Sequence, residues 1–452
     1  MKINKAYKFR LEPNAEQELV LNKLLGSARF VWNQILAVSF EMLAKNERIN
    51  KVNLVNKIPE LRKKPECAFL EKSSNGVSLQ QKVRDLGDAW AKFFDKKEQA
   101  KLKQKPFKPK KPRFFKLTDG SEIQLRPLMP RFKKKSDGYD SIRIVQFGRY
   151  CWVKGNQVKL PNDIGVVKFR KSQEILGEIK NVTISKYVGK WYISFGVEST
   201  IDAPIHPSKS AIGVDLGVKK LITTSSGQVF DPINSFKANQ VKLARLQRKL
   251  KKKTKFSQNW KKLNLKINKL HHHIANIRHD YLHKVTTTLS KNHAMIVVED
   301  LKVANMSKSA KGTIENKGKN VKAKSGLNKS ILDQGWSMLV KILEYKQQWR
   351  GGLLVKVDPR YTSQTCSSCG HVAKENRQTQ SKFECVECGF SENADINASR
   401  NILAAGNAVL SADINASRNI LAAGNAVLSV EGRCGKGRPV KQKASEIREE
   451  VT

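Results

Sequence analysis

The chain opens on an alternating stretch, KAYKFRL, which predicts a strand closed by a Pro-Asn turn. From Ala15 the spacing changes. Leu19, Leu21, Leu24, Leu25, Phe30, Val31, Ile35 and Leu36 recur at helical steps and predict a helix. Residues 46–105 keep the helical period, with Leu79, Val83, Leu86, Trp90, Phe93 and Phe94 as one stripe that reads as core. Between 140 and 200 alternation returns in IRIVQF, YCWVKGNQVKL, GVVKFR and IKNVTISKYVGKWYISFGVE. Short strands with K-G-N and V-G-K turns predict a small β-barrel or sheet.

A new domain opens at Ala211. AIGVDLGVKKLITTSSG predicts a buried strand, a glycine turn and a second strand. Residues 236–291 predict a long basic helical hairpin, whose second arm carries Ile267, Leu270, Ile274, Ile277 and Tyr281 as a packing stripe. His271, His272 and His273 on that arm point in different directions and read as a solvated run, not a metal site. AMIVVED is a buried strand ending in acids. Residues 304–330 are polar, Lys- and Gly-rich and free of aromatics, and predict a mobile loop: a lid over the adjacent acids or an inert connection. A helix from Ser330 to Arg350 and a strand at GGLLVKVDP follow. The tail after Val430 turns basic, then acidic, and predicts disorder.

Composition adds a partner. Lys and Arg outnumber Asp and Glu by 85 to 40, a net charge of +45. Such an excess opposes compaction unless a polyanion neutralises it, which points to nucleic acid. From Lys101 to Lys135, prolines block a helix and basic residues interleave with Phe107, Phe114, Phe115 and Phe132. That pattern suits single-stranded nucleic acid or a basic linker. No apolar run approaches the ~20 residues that span a bilayer, and no apolar segment follows the basic N-terminus, so neither a membrane span nor a signal peptide is expected. Seven cysteines, four of them in metal-ligand spacing, fit a reducing cytoplasm; Cys67, Cys151 and Cys434 read as free thiols.

The chemistry lies in cysteines and isolated acids. Cys366, Cys369, Cys385 and Cys388 follow C-x2-C-x15-C-x2-C, a spacing for structural zinc. Asp215 stands in GVDLG, flanked by glycines that would let a phosphate approach, Glu299 ends AMIVVE, and Asp395 lies seven residues after Cys388. Each acid alone reads as a cap or ion-pair partner. Together, the order strand-Asp, strand-Glu, helix-Asp is that of a ribonuclease-H-like nuclease. Three carboxylates offer the oxygen ligands that Mg²⁺ or Mn²⁺ prefers, in a two-metal site for phosphodiester hydrolysis. No Ser-His-Asp set, phosphate-binding loop or HExxH motif competes. Residues 394–411, ADINASRNILAAGNAVLS, recur identically as 412–429. If both copies are helical, Asp413 stands ~27 Å from Asp395, so one site cannot hold both. The pair reads as a recent duplication rather than a solenoid.

Several segments resemble the TnpB family, the RuvC-like proteins of bacterial insertion sequences related to type V CRISPR effectors. They are YKFRLEPNAEQELVLNKLLGSARFVWN, KNVTISKYVGKWYISFGVE, GVDLGVKKL, IVVEDLKVANM, LNKSILDQGWSMLVKILEYKQQWRGGLLVKVDPRYTSQTCSSCG and CVECGFSENADINASRNI. The resemblance implies a multidomain α/β fold: a RuvC nuclease with a zinc-ribbon insert, a β-barrel wedge domain and a helical recognition domain. The implied boundaries are the wedge strand and start of the helical region at 1–40, recognition domain 41–110, barrel 111–205, nuclease 206–365, ribbon 366–390, third-motif helix with the duplication 391–429, and tail 430–452. It implies RNA-guided cleavage of double-stranded DNA beside a short motif by a monomeric, nucleoid-associated bacterial protein, with a guide RNA from the element's end. Carried over, Asp215, Glu299 and Asp395 would hold magnesium, the four cysteines zinc, and Asn397 and Arg400 would lie near the scissile phosphate unless Asn397 only caps the helix. Asp395 matches the family's distance from the last cysteine, which Asp413 does not. The duplication departs from the family; the expectation is a protruding second copy and an intact site. A transposase, a nuclease-inactive guided repressor and a plain basic RNA-binding protein are the alternatives.

Overall fold

The computed structural model describes the chain apart from residues 1, 71–75, 104–112, 136–137, 146, 149–150, 162–163, 203, 313–315 and 432–452, and describes 76–77, 101–103 and 413–431 by backbone alone. The chain folds as two compact units, 1–203 with 255–269, and 204–254 with 270–452.

In the first unit β1 (Lys2–Glu12) buries Ile3, Tyr7, Phe9 and Leu11 on one face, as its alternation predicts. It lies between β7 (Gly165–Arg170) and β9 (Lys190–Thr200) in an antiparallel seven-stranded sheet. That sheet runs from β4 (Tyr139–Ile144) through β8 (Glu178–Tyr187), β9, β1, β7 and β6 (Gln157–Leu160) to β5 (Trp152–Lys154). The strands β2 (Phe114–Lys116) and β3 (Glu122–Gln124) pair separately. Helix α1 (Ala15–Ala44) starts at a capping box in which Asn14 and Gln17 satisfy each other's backbone N–H. With α2 (Lys51–Arg62) and α3 (Gly76–Phe94) it shares one core with the sheet; a short α4 (Lys96–Lys103) follows.

Several sequence expectations shift here. Leu19 and Phe94 belong to apolar stripes but are 57% and 47% exposed, at the edges of their helices' buried faces. Phe115 and Phe132 are not free to stack on bases. Their rings lie 5.5 Å apart and pack on Phe40. Phe114 remains exposed, and Phe107 lies outside the described residues.

The second unit is built on a five-stranded sheet. Its order is β12 (Val229–Phe230), β11 (Ile222–Thr224), β10 (Ala211–Asp215), β13 (Met295–Glu299) and β14 (Leu353–Val357). The last three strands are parallel, and β11 and β12 run antiparallel. The hairpin is α5 (Ser235–Lys251) and α6 (Gln258–Asn292). The 304–330 segment is not one loop. After α7 (Val303–Met306), helix α8 (Val321–Gln334) takes up its second half and buries Ile331. At its end Asp333, 4% exposed, accepts hydrogen bonds from Phe236 N and Lys237 N and pairs with Arg278, capping α5 from a distance. That long-range role gave the polar segment a reason to be helical which its composition hid. The predicted helix 330–350 is likewise broken. Gly335 takes φ +74°, ending α8 before α9 (Trp336–Arg350) begins.

Helix α10 (Ala394–Glu431) spans both copies of the repeat as one continuous helix. Its first copy lies flat on the sheet because two glycines remove the obstacles. A Cβ on Gly213 would sit 2.0 Å from Ser399 O, and one on Gly406 would sit 2.4 Å from Val297 Cγ2. The glycines around Asp215 therefore answer to packing rather than to an approaching phosphate; Gly217 likewise clears Lys220 O, at 2.7 Å. Gly213→Ala should push α10 off β10. We expect a loss of about 1–3 kcal/mol, typical of overpacking, read as a lower urea midpoint with an unchanged m-value.

Candidate active site and zinc ribbon

Parallel pairing sets Val214 beside Val298, so Asp215 and Glu299 leave adjacent strands at the same carboxyl-terminal edge. That edge is where open α/β sheets bind ligands. Asp395 comes from the first turn of α10, where Asn393 Oδ1 accepts from Asp395 N and Ile396 N. The helix is therefore capped by Asn393 and not by Asn397. Ser399 Oγ, which lies within bonding distance of both Thr223 O and Asp395 O, ties this turn to the sheet.

The acids form one electrostatic group. Burial, then repulsion by Glu299 and Asp395, pushes the Asp215 carboxyl up to about 7. Burial also raises Glu299, against a hydrogen bond from Thr362 Oγ1 at 2.7 Å. Three neighbouring carboxylates, with Asp215 and Glu299 held above the usual carboxylate range, have the donor chemistry for hard divalent cations. Among the described residues they do not close around a single point as the cysteines do, and a two-ion site needs a wider set, with ions ~4 Å apart.

The four sulfurs lie within 4.8 Å of one another. Cys366 Sγ is 3.7 Å from Cys388 Sγ, and Cys369 Sγ is 3.6 Å from Cys385 Sγ. A tetrahedron with Zn–S of ~2.3 Å has edges of about 3.8 Å, so the set fits zinc. Both knuckles close alike: Gly370 N bonds Cys366 O and Gly389 N bonds Cys385 O, each glycine at positive φ. Cys67 and Cys151 are buried free thiols, and Cys434 lies outside the described residues.

The ribbon is tied to the acids. Asn397, fully buried, accepts from Ser367 N at 2.9 Å and donates to Thr365 O at 2.8 Å. Both ends of its amide are thus spent on the first knuckle rather than offered to a phosphate. Arg400 pairs with Glu392 at 2.8 Å. The sequence missed three residues that matter more. Thr362 holds Glu299, Asn401 donates to Thr362 O and Thr365 O, and Arg377 reaches from the ribbon to Asp395 at 3.3 Å. Arg377 also draws Asp215 toward ionisation. The one sequence signal was its place between the two cysteine pairs.

Family models agree with this layout. One described as "Probable transposase" matches residues 194–310, and one described as "Cas12f1-like, TNB domain" matches 336–402. A third, "Helix-turn-helix domain", matches 1–48, which fold here as β1 and α1. A protein of Escherichia coli (strain K12) described as "Putative RNA-guided DNA endonuclease InsQ" is 46% identical over 452 residues, covering 99% of each chain. A Streptomyces pristinaespiralis protein described as "Putative RNA-guided DNA endonuclease" is 30% identical over 411 residues, 90% of each. The TnpB-like protein L770 of Acanthamoeba polyphaga mimivirus is 26% identical over 248 residues, 53% of this chain and 46% of that one. Identity at this level along the whole length means common descent, and the chain belongs to the TnpB family.

Proposed function

We propose that the chain is an RNA-guided endonuclease of a transposable element, cutting double-stranded DNA beside a short adjacent motif. The observation that carries the proposal is the meeting of Asp215, Glu299 and Asp395 at one sheet edge, in a chain 46% identical end to end to a protein described as a putative RNA-guided DNA endonuclease. The ribonuclease-H-like (RuvC) reading, with the wedge barrel, recognition domain and finer boundaries given above, belongs to the same proposal. So do a monomeric state and a cytoplasmic place; among the described residues no helix is long and apolar enough to cross a membrane.

Asp215, Glu299 and Asp395 would hold Mg²⁺ or Mn²⁺, and Cys366, Cys369, Cys385 and Cys388 would hold zinc. Divalent ions there would supply Lewis acidity to the attacking water and to the leaving oxygen. The chain's own residues do the rest. Burial keeps the carboxylates poorly solvated, so a cation is their best partner. Thr362 fixes the oxygen that Glu299 presents. Arg377 neutralises Asp395 and brings a fixed positive charge to where phosphate arrives. The excess of 85 basic over 40 acidic residues suits backbone contacts along a guide–target heteroduplex.

Thr362→Val should leave cleavage possible but raise the Mg²⁺ concentration for half-maximal rate by roughly tenfold, the usual cost of losing a residue that orients a metal ligand. A metal titration under single-turnover conditions reads it. The founding test is plasmid cleavage. The chain is co-expressed with its native downstream flank, and the purified complex is challenged with the flank-specified target beside randomised sequence. Mg²⁺-dependent cutting that enriches one motif and is lost in Glu299→Ala supports the proposal. Target binding without cutting favours the repressor; deleting residues 412–429 then separates it from a nuclease disabled by the duplication.

A further inference from the structure

The helical hairpin carries a surplus of charge and an aromatic tip that the three acids do not account for. Between Pro232 and His279 there are fourteen Lys and Arg and no Asp or Glu. Among the described residues only Arg278 of these cations is ion-paired, with Asp333. The chain turns between α5 and α6 at residues 252–257, and Phe256 stands there at φ +68°. A bulky side chain at positive φ is strained, and glycine or asparagine would make the same turn at less cost. Phe256 is nevertheless 61% exposed. Its ring lies 5.5 Å from that of Trp260, tilted by 60°, and Lys255 Nζ stands 5.1 Å from its centre. Lys255, Lys261 and Lys262, which flank the pair in sequence, are exposed. Ser257 Oγ accepts from Trp260 N and caps α6, so Phe256 holds the position of a hydrophobic staple. A staple works by burying its ring, whereas most of this one meets solvent. Backbone strain that keeps an aromatic ring exposed among lysines points to a contact the folded chain does not make for itself.

An exposed ring beside cations fits an unpaired nucleobase with its phosphates. The Lys255 contact is a solvated cation–π pair, weak enough for a base to replace, and the freed ammonium can then meet a phosphate. A folded guide RNA offers unpaired bases in loops and bulges before any target arrives, whereas duplex DNA keeps its bases stacked. We propose that Phe256, backed by Trp260, stacks on an unpaired base of the guide RNA, with Lys255, Lys261 and Lys262 meeting the adjoining phosphates. The inference rests on the RNA-guided reading above and adds to it a named grip on the guide.

The test uses the RNA that co-purifies when the chain is expressed with its native downstream flank. That RNA, remade with 5-iodouridine, is bound to the purified protein and irradiated, and crosslinks should map to the peptide holding Phe256 and Trp260. Phe256→Asn removes the ring and puts a residue that tolerates positive φ in its place. RNA affinity should fall by about tenfold, as loss of one stacked base predicts, while the melting temperature holds or rises. Phe256→Tyr keeps a ring and should bind RNA as the parent does. Lys261→Ala should instead reduce the slope of log affinity against log salt by about 0.7. Crosslinks that map elsewhere, with unchanged affinity in Phe256→Asn, overturn the contact. A melting temperature that falls together with the affinity makes the ring a staple and also overturns it. Crosslinks at this tip from 5-iododeoxyuridine in target DNA, and none from the RNA, overturn the assignment to the guide. If no RNA co-purifies, the guided reading falls and takes the contact with it. If RNA crosslinks at this tip in a protein that never cuts, the contact stands and the nuclease falls.

Discussion

Replacing Asp215 with asparagine is expected to abolish cleavage and, in Mg²⁺-free buffer, to raise the melting temperature. The two effects share one cause. Asp215 is partly buried beside Glu299 and Asp395, and its carboxyl is pushed up to about 7 from an ordinary 3.8. Between those values the folded chain binds a proton that the unfolded chain releases. This group's contribution to stability is therefore lost as pH rises from about 4 to about 7, and the cost is then constant above 7. At 1.36 kcal/mol per pH unit the ceiling is about 4 kcal/mol; coupling to Glu299 and relaxation reduce it to about 1–2 kcal/mol. Asparagine does not titrate. The variant should melt a few degrees above the parent at pH 8 and level with it near pH 4. Mg²⁺ should reverse the order, because only the parent gains the linkage from binding the ion. Cleavage should fall by roughly a thousandfold or more, since metal-held carboxylates act as a unit. Thermal scans at pH 4, 6 and 8, with and without Mg²⁺, read the first part. A variant that melts below the parent without Mg²⁺ would make Asp215 a structural residue.

What the sequence disclosed and what it hid divide along a physical line. Strand ends marked by an acid after an apolar run, and cysteines at fixed spacing, are local patterns, and Asp215, Glu299 and the four cysteines were legible from them. Periodicity also found β1, α1, the hairpin α5–α6 and the strands of both sheets except the two-residue β12. Long-range polar partners leave no such mark. Nothing near Thr362 says that its hydroxyl reaches Glu299, 63 residues away in sequence. Asp333 looks like one more polar residue until Phe236 N and Lys237 N are seen to need it. Asn397 was misread for the same reason: its partners, Ser367 N and Thr365 O, are roughly thirty residues upstream. The duplication is a related case. Both copies carry the same sequence, and in the first copy Asn397 and Ser399 tie the helix to the ribbon and the sheet through partners that the repeat itself does not contain.

Cys385→Ser is expected to remove the zinc, open the ribbon and cost cleavage without touching Asp215, Glu299 or Asp395. The ribbon has little else to hold it. Its strands β15 (Lys382–Glu384) and β16 (Ser391–Asn393) have three residues each, and its core is Cys366, Phe383, Cys385 and Ala394 with Phe390 beside it. Two such strands do not persist in water unaided. Structural zinc contributes about 10–16 kcal/mol in comparable small sites, so a zinc ion held by the four sulfurs would be the ribbon's main source of stability. Opening it breaks the bonds from Ser367 N to Asn397 and from Arg377 to Asp395, and leaves the Asn397 amide buried without partners. The first turn of α10 then loses its hold on Asp395. We expect a single zinc ion per parent chain by elemental analysis, under about a tenth of that in the variant, and new protease cuts within 366–390. Asn401→Ala separates metal from geometry. It should keep the zinc but loosen the Thr362 and Thr365 carbonyls that Asn401 holds, slowing cleavage by roughly tenfold as outer-shell losses do. Full zinc and an unchanged melting temperature in Cys385→Ser would mean that the four sulfurs do not hold the ion; full cleavage in a zinc-free protein would mean that the ribbon does not position Asp395.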